Sequence, residues 1–400
     1  MSKPPSPTAD APDPQAPAAA SFDTPLDREA ATRLVDAVLD AGEPADTAAL
    51  ERLRAWLTAA ADRGETAEEI AGVADALRAR MIPLPTDFAC VADTCGTGGD
   101  GSGTFNISTA AAIVVAATGI PVAKHGNRAV SSRTGSADVL EALGVRVDLT
   151  PNQAAECLAE LGLCFCLAPI HHPAMARVAA LRRSLGRPTV FNLVGPLCNP
   201  ASATVQVIGV GRRAARRPLA TAAAILGLPR AVVVSGAIGG VDGAAPSVWL
   251  DEVSLFGPTD VIDVRAAAPA AGDLLDDGCA TSRLPENHIA ETHIVETHIA
   301  ETQWTPEAFG LTTLPVGRFA ELHVDAAAGS AAAIREVLSG QDGARRDVVV
   351  LNAAALLRSS ATAGDAPAAR ELAEEAIDSG RASLLLQSLA RRTQAFPRTA

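Results

Sequence analysis

Cross-linking chemistry is sparse in this chain of 400 residues. Its seven cysteines, Cys90, Cys95, Cys157, Cys164, Cys166, Cys198 and Cys279, are odd in number and include no CxxC pair. That speaks against a disulfide framework and against a structural zinc site. Most of them lie in apolar runs, where a thiol serves as a small core residue. Basic charge is also short: the formal net charge is -13, which opposes general affinity for nucleic acid. The N-terminus carries Lys3 and then Pro, Ala and Asp, with no apolar core of a secretory signal. No run of 18 or more strongly apolar residues occurs, so neither a membrane span nor a membrane partner is expected. A cytoplasmic protein is the default expectation.

What is present fits a globular chain with a sizeable core: 48% hydrophobic and 20% charged residues, with much alanine. The length allows two domains or one large α/β unit. Residues 1–24 are rich in Pro and Ala and read as a disordered tail. Residues 25–86 carry three stretches with apolar residues three and four apart, LVDAVLDAG, ALERLRAWLTAAADRG and AEEIAGVADALRARM. They predict a small all-helical domain.

The period changes at Asp87. FACVADTC reads as a buried strand, NISTAAAIVVAATG as a helix capped by Asn106 or Ser108, and IPVAK as a strand. SADVLEALG follows as a helix and VRVDL as a strand. Thr150, Pro151 and Gln153 form the capping box of PNQAAECLAELG, and LCFCLA is the next strand. VQVIGVG, AVVVSG and DVVVLN read as later strands, and the chain is mostly helical from about Ala328. Alternating strands and helices predict an α/β domain with a mostly parallel sheet flanked by helices. Its expected extent is 87–169 and 201–400, with a segment near 170–200 joining the helical domain. Residues 272–304, with the tandem repeat HIAET HIVET HIAET, read as a low-complexity insertion. Its histidines, His288, His293 and His298, are five apart, a spacing that points them in different directions and disfavours a metal site.

GTGGDG matches GxGxxG at Gly96, Gly98 and Gly101. Between a strand and a helix, such a loop suits phosphate: glycine lets the backbone come close, and the helix start offers free N–H groups. A dinucleotide fold would place an acid at the end of the second strand. This chain has Lys124, His125, Gly126, Asn127 and Arg128 there, and carries Asp100 inside the loop. An acid in that place suits a ribose hydroxyl or a magnesium-bound ligand better than a bare pyrophosphate. The loop KHGNRAVSSRTGS brings three cations and three serines to the same end of the sheet.

Together, DTCGTGGDGSGTFNIST, KHGNRAVSSRTGSADVLEALG and HHPAMARVAALRRSLGRPTVFNLVGPLCNP closely resemble the anthranilate phosphoribosyltransferase family. Its fold is shared with pyrimidine nucleoside phosphorylases. The resemblance implies transfer of a phosphoribosyl group from phosphoribosyl pyrophosphate to anthranilate, with Mg2+ and a homodimer built through the helical domain. It implies that Gly96, Thr97, Gly98, Gly99, Asp100 and Thr104 hold the donor. Asn106, Ser108 and Thr109 would meet its phosphates and magnesium; Lys124, Asn127, Ser131, Ser132, Gly135 and Ser136 would complete that site. Asp251 and Glu252, with Ser108, would serve the metal. Arg182 would pair with the anthranilate carboxylate in a pocket with Gly96, His125, Asn127 and Gly195, leaving its neighbour Arg183 to solvent. Positioning and electrostatics by Lys124 and Asp100, rather than a covalent nucleophile, would carry the reaction. The adjacent His171 and His172 read as structural or pocket-lining.

Three features depart from the family. Pro188-Thr189 stands where Arg-Thr is usual, so a cation is missing or replaced by Arg187. The segment before Asp251 is long, with Ser235-Gly236 in place of His-Gly, and the repeat has no counterpart. The rival readings are phosphoribosyl transfer to another acceptor and a silent homologue that only binds.

Overall fold

The computed structural model describes residues 22–41, 46–129, 134–239, 246, 248–266 and 297–397. The tail up to residue 21, Ser131, Ser132, and the repeat histidines His288 and His293 lie outside the described residues.

Three helices open the chain: α1 (Arg28–Leu39), α2 (Thr47–Arg63) and α3 (Ala67–Arg78). Asp27, Asp46 and Thr66 accept hydrogen bonds from the first turns, as the sequence pattern requires. Glu69 is fully buried. Its carboxylate is tied to Arg63, to Trp56 Nε1 at 2.9 Å and to Leu26 N at 3.1 Å. A buried charge is tolerated only with such partners. The apolar faces of these helices share one core with Val178 and Leu181 of α8 (Ala176–Leu185) and Val190, Phe191 and Leu193 of α9 (Val190–Leu193). That core continues through α10 (Arg216–Ile225) onto one face of the sheet, at Ile208, Val233 and Ile262.

The sheet runs in the order β3-β2-β1-β4-β5-β7-β8: Leu163–Leu167, Val122–Gly126, Ala92–Gly96, Val205–Gly209, Arg230–Ile238, Thr259–Ala266 and Thr297–Trp304. A short β6 (Val248–Leu250) pairs with β5. The first five strands in that order are parallel; β6, β7 and β8 are antiparallel to their neighbours. The chain steps from β1 outward to β3, then returns to place β4 on the other side of β1. The strand order thus reverses at β1/β4, and the crevice beyond the carboxyl ends of those strands is where open α/β sheets bind ligands.

The opposite face is covered by α4 (Ile107–Ala117), α5 (Ser136–Ala142), α6 (Pro151–Leu161) and α7 (Ala168–His171), and by four C-terminal helices: α11 (Ala327–Leu338), α12 (Ala344–Ser359), α13 (Ala366–Asp378) and α14 (Arg381–Ala395). The mixed α/β architecture, with a mostly parallel sheet and flanking helices, is the one expected.

Several local readings are corrected. DVVVLN lies inside α12, a helix buried on nearly all sides; such a run has no polar face to reveal its period. Residues 145–149 form no strand. Val145, Val147 and Leu149 do bury alternate side chains, but the Arg146 N–H goes to the Thr393 hydroxyl at 3.0 Å instead of to a ladder. The last repeat unit carries regular structure: residues 297–304 are β8, paired with β7 from Ala266↔Thr297 to Thr259↔Trp304. Cys95, Cys157, Cys164, Cys166 and Cys198 are free thiols.

Candidate active site

The glycine loop leaves β1 at the crevice. Gly98, Gly99 and Gly101 sit at φ 73, 75 and 71°, a region that glycine enters without strain. Gly96 has another reason to be glycine: a Cβ there would overlap the Asp251 carboxylate. Its register partner across the switch point, Gly209, is equally constrained, because a Cβ would overlap the Asp251 carbonyl. Two residues on, a Cβ at Gly211 would come within 2.6 Å of the Asp100 Cβ. The acidic segment is therefore seated directly on the two strands at the reversal.

Asp251 and Glu252 reach both edges of the crevice. Gly98 N donates to Asp251 Oδ2 at 2.8 Å and Ser108 N to Glu252 Oε1 at 3.1 Å. Burial, then Asp100 and Glu252, push the Asp251 carboxyl well above its ordinary range. Burial lifts Glu252 to about 7 against the pull of Lys124. Like charges gathered in this way call for a cation. Among the described residues no group of three or more His, Cys, Asp or Glu closes around one point. A magnesium ion fits this donor set, since it takes one or two carboxylates and draws the rest of its shell from water and substrate oxygens.

Lys124 is nearly buried, 4% exposed, and is one of two lysines in the chain. Its ammonium donates to Thr94 O at 2.7 Å and to Ser108 Oγ at 3.3 Å. At the start of α4, Asn106 N donates to Ser330 Oγ at 2.9 Å, and the same hydroxyl donates to Asn106 Oδ1 at 2.9 Å. Thr134 Oγ1 also donates to Oδ1, at 2.7 Å. These bonds hold the Asn106 side chain in place at the helix start. Thr104 bonds Ser102 Oγ at 3.2 Å, and Thr97 N donates to Gly209 O at 2.8 Å. Thr109 is buried with its hydroxyl unpartnered.

On the other side of the crevice, His125 Nδ1 bonds Gly195 O at 3.1 Å and its Nε2 is buried without a protein partner. Burial, then His172, lowers its pKa to about 3, so the ring is neutral; with Nδ1–H donating, Nε2 is a bare acceptor. His172 mirrors it, with Nε2 on Cys198 O at 2.9 Å, Nδ1 unpartnered and a pKa lowered to about 4 by burial. The two rings lie 5.1 Å apart. His171 is turned elsewhere, to Ile82 O at 2.8 Å. Asn127 Oδ1 caps Arg128 N at 2.8 Å. Arg128 itself is spent on Glu141. A Cβ on Gly135 would overlap Ala129 N, and Ser136 Oγ packs where a Cβ on Gly126 would stand.

Arg182, half-buried on α8, lies 5.5 Å over the Phe191 ring and has no hydrogen-bond or carboxylate partner among the described residues. Arg183 is exposed. Arg187, the neighbour of Pro188, is paired with Asp62 at 2.6 Å. Ser235 is buried, donating to Val210 O at 2.7 Å. Sequence reading missed Gly209, Gly211 and Ser330. The first two left a visible signal, glycines closing the β4 run VIGVG; Ser330 left none.

The family model described as "Glycosyl transferase family, a/b domain" matches residues 89–270 and 276–383. Anthranilate phosphoribosyltransferase of Desulforudis audaxviator is 46% identical over 318 residues, 80% of each chain, and that of Moorella thermoacetica 43% over 338 residues, 84% of this chain and 87% of the relative. The crystal structure of the Thermus thermophilus enzyme superposes with a TM-score of 0.75 at 35% identity, covering 94% of this chain and 98% of that one. The Saccharomyces cerevisiae enzyme in complex with phosphoribosyl pyrophosphate and magnesium gives 0.71 at 26% identity, covering 92% and 94%. With most of each sequence covered at these identities, the chain belongs to the anthranilate phosphoribosyltransferase family.

Proposed function

We infer that this protein transfers the phosphoribosyl group of phosphoribosyl pyrophosphate to the amine of anthranilate, releasing pyrophosphate, as a step of tryptophan biosynthesis. The observation that carries the reading is the meeting, at the β1/β4 reversal, of a glycine loop, a buried lysine and an acidic pair, with an arginine on the helical side that has no hydrogen-bond or carboxylate partner among the described residues.

The donor lies across the crevice, its phosphates facing the loop amides from Gly96 to Gly99, Thr97, Thr104 and the start of α4 at Asn106, Ser108 and Thr109. Asn127, Ser131, Ser132, Gly135 and Ser136 close the same site from the second loop. Asp251 and Glu252, with Ser108, would hold magnesium, which would supply positive charge against the pyrophosphate. The reaction breaks the bond from the ribose anomeric carbon to the pyrophosphate oxygen and forms one to the anthranilate nitrogen. Lys124 stabilises the negative charge that gathers on the leaving oxygens, and Asp100 faces the ribose, whose ring becomes cationic. Arg182 takes the anthranilate carboxylate through paired hydrogen bonds. Gly96, Asn127 and Gly195 line the acceptor pocket, and His125 Nε2, an acceptor only, orients the amine. The nitrogen is neutral before attack, so its proton leaves to solvent or pyrophosphate without a strong base.

A magnesium-dependent, cytoplasmic homodimer completes the reading. Among the described residues no helix is long and apolar enough to cross a membrane. The test is loss of anthranilate fluorescence with phosphoribosyl pyrophosphate and magnesium, against an EDTA control. Metal-dependent loss supports the reading. No loss from protein that binds the donor would redirect it to another acceptor.

A further inference from the structure

The acidic pair is held from a direction the reaction scheme does not use. Helix α12 is apolar along most of its length, and Asn352 is a lone amide in its buried face, 2% exposed. Its Oδ1 accepts from Val253 N at 2.9 Å, and its Nδ2 donates to Val253 O at 3.0 Å and to Val348 O at 2.9 Å. Both backbone polar groups of the residue that follows Glu252 are thus gripped by one side chain. An amide inside an apolar helix is costly unless its hydrogen bonds are made, and here all are spent on Val253 and the helix itself.

The consequence falls on the carboxylates. Each has a single backbone donor among the described residues, Gly98 for Asp251 and Ser108 for Glu252. The Asp251 and Glu252 carbonyls press against Gly209 and Gly236 from the strand side. Asn352 supplies the opposing grip from the helix layer, and α12 packs against α4, which carries Ser108. One rigid pair of helices therefore sets both Ser108 and the height of the acidic segment above the crevice.

We propose that Asn352 is a positioning residue for magnesium, clamping Val253 so that Asp251 and Glu252 reach the crevice edge together. This rests on the reading of that pair as the metal's seat. Groups that orient metal-binding side chains typically carry about 10–100-fold in metal affinity.

The experiment uses the full chain and two substitutions, Asn352→Leu, similar in shape but larger and apolar, and Asn352→Ser, smaller and polar. Magnesium affinity is measured by calorimetry in the presence of pyrophosphate, alongside Tm and the anthranilate KM. Both variants should bind magnesium about tenfold more weakly or worse, with the anthranilate KM unchanged. A lowered Tm with wild-type magnesium affinity in either folded variant would make Asn352 a packing residue and overturn the proposal. Asp251→Asn serves as the separate control. If it leaves magnesium affinity unchanged, the metal reading of the pair fails, whatever Asn352 does.

Discussion

Gly209 ends β4 with no side chain because the Asp251 carbonyl occupies the space a Cβ would take. The two residues are 42 positions apart in sequence, yet the strand cannot carry even alanine unless the acidic segment moves. Gly209→Ala should therefore act on the metal as much as on the fold. Overpacking of this kind costs about 1–3 kcal/mol. The expected result is a lower urea midpoint together with a raised magnesium requirement. A variant that loses stability but keeps its magnesium dependence would show that Asp251 yields without consequence.

Lys124 should not be replaceable by arginine. Nearly every other cation in the chain is arginine, but the slot at Lys124 offers two acceptors, Thr94 O and Ser108 Oγ, to a buried point charge. A planar guanidinium cannot meet that geometry. Lys124→Ala and Lys124→Arg should both lower kcat/KM for phosphoribosyl pyrophosphate by roughly 10²–10³-fold, the scale of losing one preorganised stabiliser of developing charge. The anthranilate KM should hardly move. Steady-state kinetics with each substrate varied in turn separates the two.

Arg182 makes the opposite split. It has no ion pair to lose among the described residues, and burial alone lowers its pKa. Arg182→Ala should leave Tm nearly unchanged and raise the anthranilate KM by about 10–100-fold, corresponding to the 1.5–3 kcal/mol of a hydrogen bond to a charged group. An unchanged anthranilate KM would remove Arg182 from the acceptor site.

How far the sequence could be read depended on whether a feature was local. The β1–loop–α4 unit and the Thr150–Gln153 capping box were legible because period, glycine and cap lie within a few residues of one another. DVVVLN was misread because a helix buried all round shows no face. The repeat unit at 297–304 was misread because an edge strand exposed along much of its length needs no apolar alternation. Asp251 and Glu252 were legible only through the family resemblance, because the contacts of Asp251 with Gly96 and Gly209 and of Glu252 with Gly236 exist only in the fold. Ser330 had no signal at all, being 224 residues from the Asn106 it orients.

The neutral histidines add a contribution of definite sign to the acid behaviour. His125 and His172 have pKa values lowered to about 3 and about 4 from an ordinary 6.5. In the folded protein they release protons that the unfolded chain still binds between about pH 4 and 6.5. The unfolded state then carries more protons, so stability rises with pH through that window and is lost as pH falls. His171 does not share in this: burial lowers its pKa, but Cys166 more than restores it. Asp251 and Glu252, whose carboxyls burial raises, act in the opposite sense over the same range, so the histidines show in the difference: urea midpoints measured from pH 4.5 to 7.5 should change less favourably with rising pH in the double variant His125→Asn/His172→Asn than in the wild type. An equal slope in the variant would assign the acid sensitivity to other groups, and His125 would then titrate too near neutrality to serve as the fixed acceptor of the amine.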